Sequence, residues 1–150
     1  MAEIIETVGI VEIADEAGLA ACWPVMHQLR PHLASVDEFK ARVARQRANA
    51  GYRLFASMAG GRPVALAGFR VMDNLVHGLH LYVDDLVTDE ALRSSGHGAA
   101  LIKRLEQEAA ALGCKRLTLD TPMSNSLGHR FYFRCGLLAT ALRFGVPIGA

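Results

Sequence analysis

Hydrophobic and polar positions change period several times along the chain, and each change marks an element. Residues 8–13 alternate weakly and predict a first strand. A helix is expected from about Asp15, with Pro24 marking either a first turn or a kink. Ser35-Val36-Asp37-Glu38 has capping-box spacing, in which the Ser35 hydroxyl accepts a backbone N–H and Glu38 reaches back. Phe39 and Val43 then share a face, so a second helix runs to about Ala50, before Gly51. Residues 52–58 and 63–72 are strand-like and are joined by Ala59-Gly60-Gly61-Arg62, a hairpin signal. Residues 80–88 form a third strand of that group. The clearest helix spans 98–112, with Leu101, Ile102, Leu105, Ala109 and Leu112 on one stripe and Gly113 as its stop. A strand at 115–121, a short helix at 125–135 and a last strand at 137–144 complete the chain. The order β-α-α-β-β-β-α-β-α-β predicts a single α/β domain over residues 1–150, built on a mixed sheet.

The strand from Leu79 to Thr88 changes phase. Apolar side chains fall at Leu79, Leu81 and Val83, and then Asp85 is polar and Leu86 apolar. Strand side chains alternate with period two, so this slip calls for one extra residue, a β-bulge. The plainer alternative is a strand end whose last acids face water. On the face opposite the apolar one stand His80, Tyr82 and Asp84, three proton-handling side chains in a row. A solvated edge also explains such a row, because antiparallel sheets often expose one side.

The next turn, Arg93-Ser94-Ser95-Gly96-His97-Gly98, opens the long helix. Its glycines let an outside group approach the backbone closely. The first helical N–H groups have no internal acceptors and sit at the positive end of the macrodipole. Arg93 adds a cation, and Ser94 and Ser95 add donors, so a pyrophosphate fits. A dinucleotide fingerprint would need a third glycine where Leu101 stands, and a Walker loop would need a following Gly-Lys-Ser/Thr.

These motifs resemble those of the GNAT superfamily of N-acetyltransferases. Residues 85–98 are similar to the family's strand four and pyrophosphate loop, whose core is Gln/Arg-x-x-Gly-x-Gly/Ala. Asn125, Gly128, Phe131, Tyr132 and Gly136 fall at the spacing of its Asn-x-x-Ala-x-x-Phe/Leu-Tyr-x-x-x-Gly helix. The resemblance implies a mixed, mostly antiparallel central sheet flanked by helices, with strand four bulged and splayed from strand five and acetyl-CoA in the gap. It implies that Leu86, Val87 and Thr88 meet the pantetheine and thioester. Arg93, Ser94, Ser95, Gly96, His97, Gly98 and Ala99 would bind the pyrophosphate, Asn125 would contact the cosubstrate, and Tyr132 would sit by its sulfur. Three positions depart from the pattern: Ser94 replaces a frequent glycine, Gly128 the alanine, and Leu137 the usual phenylalanine. The family's final two-strand hairpin would be reduced to one strand here, or completed by a partner subunit, so a homodimer is expected.

The implied activity is acetyl transfer from acetyl-CoA to a primary amine of a small molecule or peptide. Such an amine resembles Lys, with a pKa near ~10, and a base helps at neutral pH. Asp84 is the first candidate and His80 the second, with Tyr82 and Asp84 beside the acceptor. A bulge N–H from Leu86 or Val87 would hold the developing oxyanion, and Tyr132 would return a proton to sulfur. The alternatives are a non-catalytic acyl-CoA-binding regulatory module and nucleotide binding by the glycine loop.

Composition narrows the partners. Sixteen Lys/Arg against fifteen Asp/Glu give a net charge of +1, which supplies no general pull on nucleic acid. The charge is uneven: Lys40, Arg42, Arg45, Arg47 and Arg53 crowd one stretch, either as a solvated helix face or as a wall that attracts an anionic acceptor. Cys22, Cys114 and Cys135 are too scattered for a disulfide framework, and only His77 and His80 lie close together, so no metal site is expected. The acidic first residues lack the cationic start of a secretory signal, and residues 17–29 are too short and interrupted to span a membrane. A cytoplasmic protein is expected.

Overall fold

In the computed structural model, which describes residues 9–149, two short side chains fix where the first helices begin. The Asp15 carboxylate accepts the Gly18 N–H at 2.7 Å and starts α1 (Glu16–Leu29). The Ser35 hydroxyl accepts the Glu38 N–H at 3.1 Å and starts α2 (Val36–Ala50). Glu38 does reach back, but past the cap residue, to the Ala34 N–H at 2.7 Å. Pro24 lies well inside α1, beyond its first turn.

Five strands form one sheet in the order β1 (Gly9–Glu12), β2 (Arg53–Ala59), β3 (Arg62–Asn74), β4 (Gly78–Thr88) and β5 (Leu117–Leu119). All neighbours are antiparallel except β4 and β5. The β2–β3 turn has positive φ at both Gly60 (58°) and Gly61 (75°), as a two-residue hairpin matched to strand twist requires. A parallel β4–β5 pair needs a crossover, and α3 (His97–Ala111) supplies it.

Period-two alternation in β2 and β3 divides the core between the two faces of the sheet. Leu54, Ala56 and Leu66 pack with Leu19, Val25, Met26, Phe39 and Val43 of α1 and α2. Phe55, Ala67 and Phe69 face the other way and pack with Leu101, Leu105 and Ala109 of α3. Among the described residues no helix is long and apolar enough to cross a membrane.

Two compact units make up the chain, one up to Leu119 and one from Asp120. In the second, Asn125 caps α4 (Ser126–Arg134), and Gly136 at φ 88° ends it, with the Gly136 N–H bonded to the Phe133 carbonyl and the Leu137 N–H to the Tyr132 carbonyl. The strand expected at 137–144 does not form. A strand persists only when its backbone groups are paired, and the five paired strands leave this segment out. Its alternating Leu138, Leu142 and Phe144, followed by Val146 and Ile148, are exposed instead. The expected acidic N-terminal stretch and the first residue of the expected first strand lie outside the described residues.

A charged network ties β1, β2 and α3 together. Arg53 donates to Glu12 at 2.7 and 3.0 Å and pairs with Glu108 at 2.8 Å, and Arg104 also meets Glu108 at 2.8 Å. Both guanidinium groups lie over the Phe55 ring. Hydrogen bonding, from Arg104 to Glu108 and from Arg53 to Glu12, holds both carboxyls below their ordinary value of 4.5. Their contribution is therefore full above that unfolded value and is lost as pH falls through the lowered folded one. Glu108→Gln is expected to cost about 1–2 kcal/mol at neutral pH and to flatten the fall of melting temperature between about pH 5 and 3. An acid limb identical to that of the parent would contradict this.

Candidate active site

The expected bulge is present, and one residue makes it. Gly68 opposes Asp85 while Phe69 opposes Val83, so Asp84 is extra in β4. Before it, Leu81 and Val83 pack on the α3 side; after it, Leu86 takes that side and Val87 faces α1 and α2. Unbroken alternation would have sent Asp85 toward α3. The slip turns it toward α1 and α2 instead.

Three residues from distant parts of the chain hold Asp85 there. Arg30, the C-cap of α1, donates Nε to Asp85 Oδ1 at 2.9 Å and Nη2 to the Asp84 carbonyl at 2.9 Å. A bulge leaves backbone groups outside the ladder, and this guanidinium serves one of them. The buried Tyr52 donates its hydroxyl to Asp85 Oδ2 at 2.8 Å. Burial first, and then Asp85, push the Tyr52 phenol well above its ordinary range, so it remains a donor. Gly68 makes room: a Cβ there would lie 1.8 Å from the Tyr52 hydroxyl.

Asp85 reaches a pocket of about 230 Å³ whose polar lining includes Arg30, His32, Arg42, Gln46 and Tyr52. On the other side of β4, β5 pairs only opposite Leu81, Tyr82 and Val83, so residues 84–88 run past its end. This is the expected splay.

The loop after β4 is pinned by Asp89, which accepts from Gln28 at 3.3 Å, Arg62 at 3.1 Å and the Ala91 N–H at 3.2 Å. Ser94 then has φ 69°, the one positive value at a non-glycine among the described residues. A left-handed serine explains why glycine is frequent there in the family pattern. Gly96, at φ 88°, precedes α3, whose first turn has no side-chain cap. The first intrahelical bond runs from the Ala100 N–H to the Gly96 carbonyl at 3.0 Å, leaving the N–H groups of His97, Gly98 and Ala99 for an outside acceptor. Nothing lies within 4 Å of where a Gly96 Cβ would be. These N–H groups, with the exposed Arg93, fit a pyrophosphate. Other expected members of the loop have structural tasks: the Ser95 hydroxyl bonds to the Leu92 carbonyl, and His97 Nδ1 lies 2.8 Å from the buried Ser57 hydroxyl.

The expected row on β4 is divided by its partners. Asp84 forms a bidentate ion pair with Arg70, whose guanidinium lies 5.5 Å from the Tyr82 ring. His80 is only 2% exposed, and its Nδ1 lies 2.8 Å from the Gly78 carbonyl, away from the pocket lining. In the second unit, the Asn125 carboxamide accepts the Gly128 N–H at 3.2 Å and donates to Thr121 at 3.0 Å. Gly128 permits this fold, since a Cβ there would lie 2.3 Å from the carboxamide nitrogen. Tyr132 is half-buried, and desolvation raises its phenol above the ordinary value of 10.0. Sequence reasoning missed Arg30, Tyr52 and Gly68. Of these only Gly68 carried a signal, as an isolated glycine in a strand.

An open sheet parted beside a bulge, with an uncapped helix start at its end, is the architecture of an acyl-CoA-dependent acyltransferase. The profile of the acetyltransferase (GNAT) family matches residues 18–137, and the chain belongs to this family. It is an acyltransferase whose acyl donor is acetyl-CoA. The chain is 29% identical over 130 residues to YhdJ, an uncharacterized N-acetyltransferase of Bacillus subtilis (strain 168), covering 86% of this chain and 91% of that one. It is 26% identical over 133 residues to the glucosamine 6-phosphate N-acetyltransferase of Trypanosoma brucei brucei, covering 83% and 90%. A structure of the aminoglycoside N-acetyltransferase AAC(6')-Iy in complex with CoA shares the fold, with a TM-score of 0.81 at 18% identity and 93% of each chain covered.

Two substitutions test the geometry. Gly68→Ala must displace Tyr52 from Asp85 and is expected to cost about 3 kcal/mol, read from denaturant melts. A loss under about 0.5 kcal/mol would show that Tyr52 is not clamped as described. Gly96→Val crowds the open approach to the loop and is expected to weaken acetyl-CoA binding by more than about tenfold in a protein that still melts cooperatively. Calorimetry giving parental affinity in that folded variant would remove the loop from the pyrophosphate site.

Proposed function

We propose that the protein transfers the acetyl group of acetyl-CoA directly to a primary amine of a small molecule seated beside the bulge of β4. The observation that carries this reading is Asp85, turned by the extra residue into the lining of a pocket on the α1–α2 face, on the same strand whose edge runs past β5. The relatives named N-acetyltransferases support an amine as acceptor.

Bound acetyl-CoA supplies the acetyl group already activated as a thioester. The chain's own residues do the rest. The N–H groups of His97, Gly98 and Ala99 hold the pyrophosphate, and the edge from Leu86 to Thr88 lines the pantetheine and thioester. An N–H of Leu86 or Val87 stabilises negative charge on the carbonyl oxygen, worth roughly 3 kcal/mol for one such donor. Asp85 receives and orients the ammonium. Asp84 is closed around Arg70 and His80 is sealed in the sheet, and neither lines the pocket that Asp85 lines. The ammonium first gives up one proton to solvent through the pocket. The freed amine nitrogen then bonds to the carbonyl carbon, and the carbon–sulfur bond breaks as the sulfur is protonated. The second proton lost from nitrogen restores the proton donor through solvent. Tyr132 donates a proton to the departing sulfur and Asn125 contacts the cosubstrate, as the family resemblance implies.

A homodimer is part of the proposal, because Leu138, Leu142, Phe144, Val146 and Ile148 form an exposed apolar run that a second copy would cover. Light scattering at high protein concentration should return twice the chain mass, and a monomer mass would contradict it. Tyr132→Phe keeps the ring and removes the proton. Turnover is expected to fall by about 10²–10⁴-fold with little change in the dissociation constant of acetyl-CoA. Parental turnover in this variant would give the proton donation to water or another group.

A further inference from the structure

The cations crowded between Lys40 and Arg53 are not equivalent in the folded chain. Arg47 donates to the carbonyls of Ile13 at 2.6 Å and Ala14 at 3.3 Å, and Arg53 is spent on Glu12 and Glu108. Arg45 is exposed, and neither Arg45 nor Lys40 lines the pocket. Arg42 does.

Phe39, Arg42, Val43 and Gln46 line the pocket at helical spacing, and the stripe has two chemical halves. Phe39 and Val43 are buried at 3% and 4% and belong to the core. Arg42 and Gln46, one turn apart, present N–H donors. His32, from the segment between α1 and α2, adds a third polar group to the lining. Arg30 is matched by Asp85 at 2.9 Å, so its charge is cancelled locally. Arg42 engages Glu38 through one Nη only, at 3.0 Å, in a pair whose arginine side chain is 44% exposed. Exposed i,i+4 pairs of this kind are worth only about 0.3–0.5 kcal/mol and exchange readily for a better acceptor. A pocket of about 230 Å³ also lies below the range of about 300–1,000 Å³ that holds drug-sized ligands, which selects a small metabolite.

We propose that the acceptor is a small amine that also carries an oxyanion, a phosphate or a carboxylate. Its anion is held by Arg42 and Gln46 on α2, and its ammonium is held by Asp85 on β4. This rests on reading the pocket as the acceptor site of acetyl transfer. A guanidinium and an amide present donors in directions that suit either anion. The Asp85 oxygens keep lone pairs for an ammonium, but Arg30 already balances their charge. Arg42 therefore leaves the pocket lining net positive, which favours a ligand carrying an anion over a simple amine.

The test is calorimetric titration of the CoA-loaded protein with two matched pairs: glucosamine 6-phosphate against glucosamine, and β-alanine against propylamine. At least one anionic member should bind about tenfold or more tightly than its neutral partner, and the pair that shows the preference identifies phosphate or carboxylate as the anion. Arg42→Gln, at an exposed helix position that should not disturb folding, is expected to abolish the preference. Arg45→Gln removes the same charge from the same helix outside the pocket and should keep it. If neither anionic amine is preferred, or if Arg42→Gln retains the preference, the inference is overturned. Release of CoA from acetyl-CoA, assayed with the same compounds, separates the two readings. An Arg42-dependent preference without turnover sinks acetyl transfer and leaves the anion site standing; turnover of propylamine with no preference does the reverse.

Discussion

A β-strand has a period of two, and a single inserted residue reverses every side chain beyond it. Asp84 is that residue in β4, and the rest of the site depends on its consequence. It carries Asp85 to the α1–α2 face and Leu86 to the α3 face. A bulge costs ladder pairing and must be held. Arg30 spans the end of α1 to reach both Asp85 and the Asp84 carbonyl, while Tyr52 closes from below through the space that Gly68 leaves. The buried phenol is acceptable because Asp85 is its partner, and the half-buried carboxylate because Tyr52 and Arg30 both donate to it.

The same irregularity gives β4 two different neighbours over one short stretch. Its edge runs past the end of β5, and its face borders the pocket. An acyl donor along the edge and an amine on the face would meet at the bulge, which is the geometry that direct transfer between two bound substrates requires. The loop that leaves β4 is pinned at Asp89 and ends in an uncapped helix start, so charge is met by fixed backbone dipoles that need no rearrangement.

Much of this was legible in the sequence because it is local. The Ser35 cap, the helix start near Asp15, the Gly60-Gly61 turn, the phase slip of β4 and the glycine loop are each written within a few residues. Boundaries drifted where local signals weaken: β5 is three residues long, against an expectation of seven, because only Leu117–Leu119 find a partner. The missing last strand has the same cause, since alternation in Leu138, Leu142 and Phe144 does not supply an edge to pair with. The clamp around Asp85 was not legible beyond the isolated glycine at 68, because Arg30, Tyr52, Gly68 and Asp85 are joined only by tertiary contact. The crowd of basic residues could not be sorted for a similar reason, since nothing local distinguishes Arg42 in the pocket from Arg47 and Arg53 in structural pairs.

The central claim is that the bulged run of β4, open on its β5 side, and the loop after it form one acetyl-CoA site. Amide hydrogen exchange, with and without acetyl-CoA, reads this directly, because exchange slows where N–H groups gain an acceptor. Slowed exchange should centre on residues 84–88 and 93–99, with β1 and β2 little changed. Saturating acetyl-CoA that leaves both segments exchanging at their free rates, or that protects other elements instead, would contradict the account.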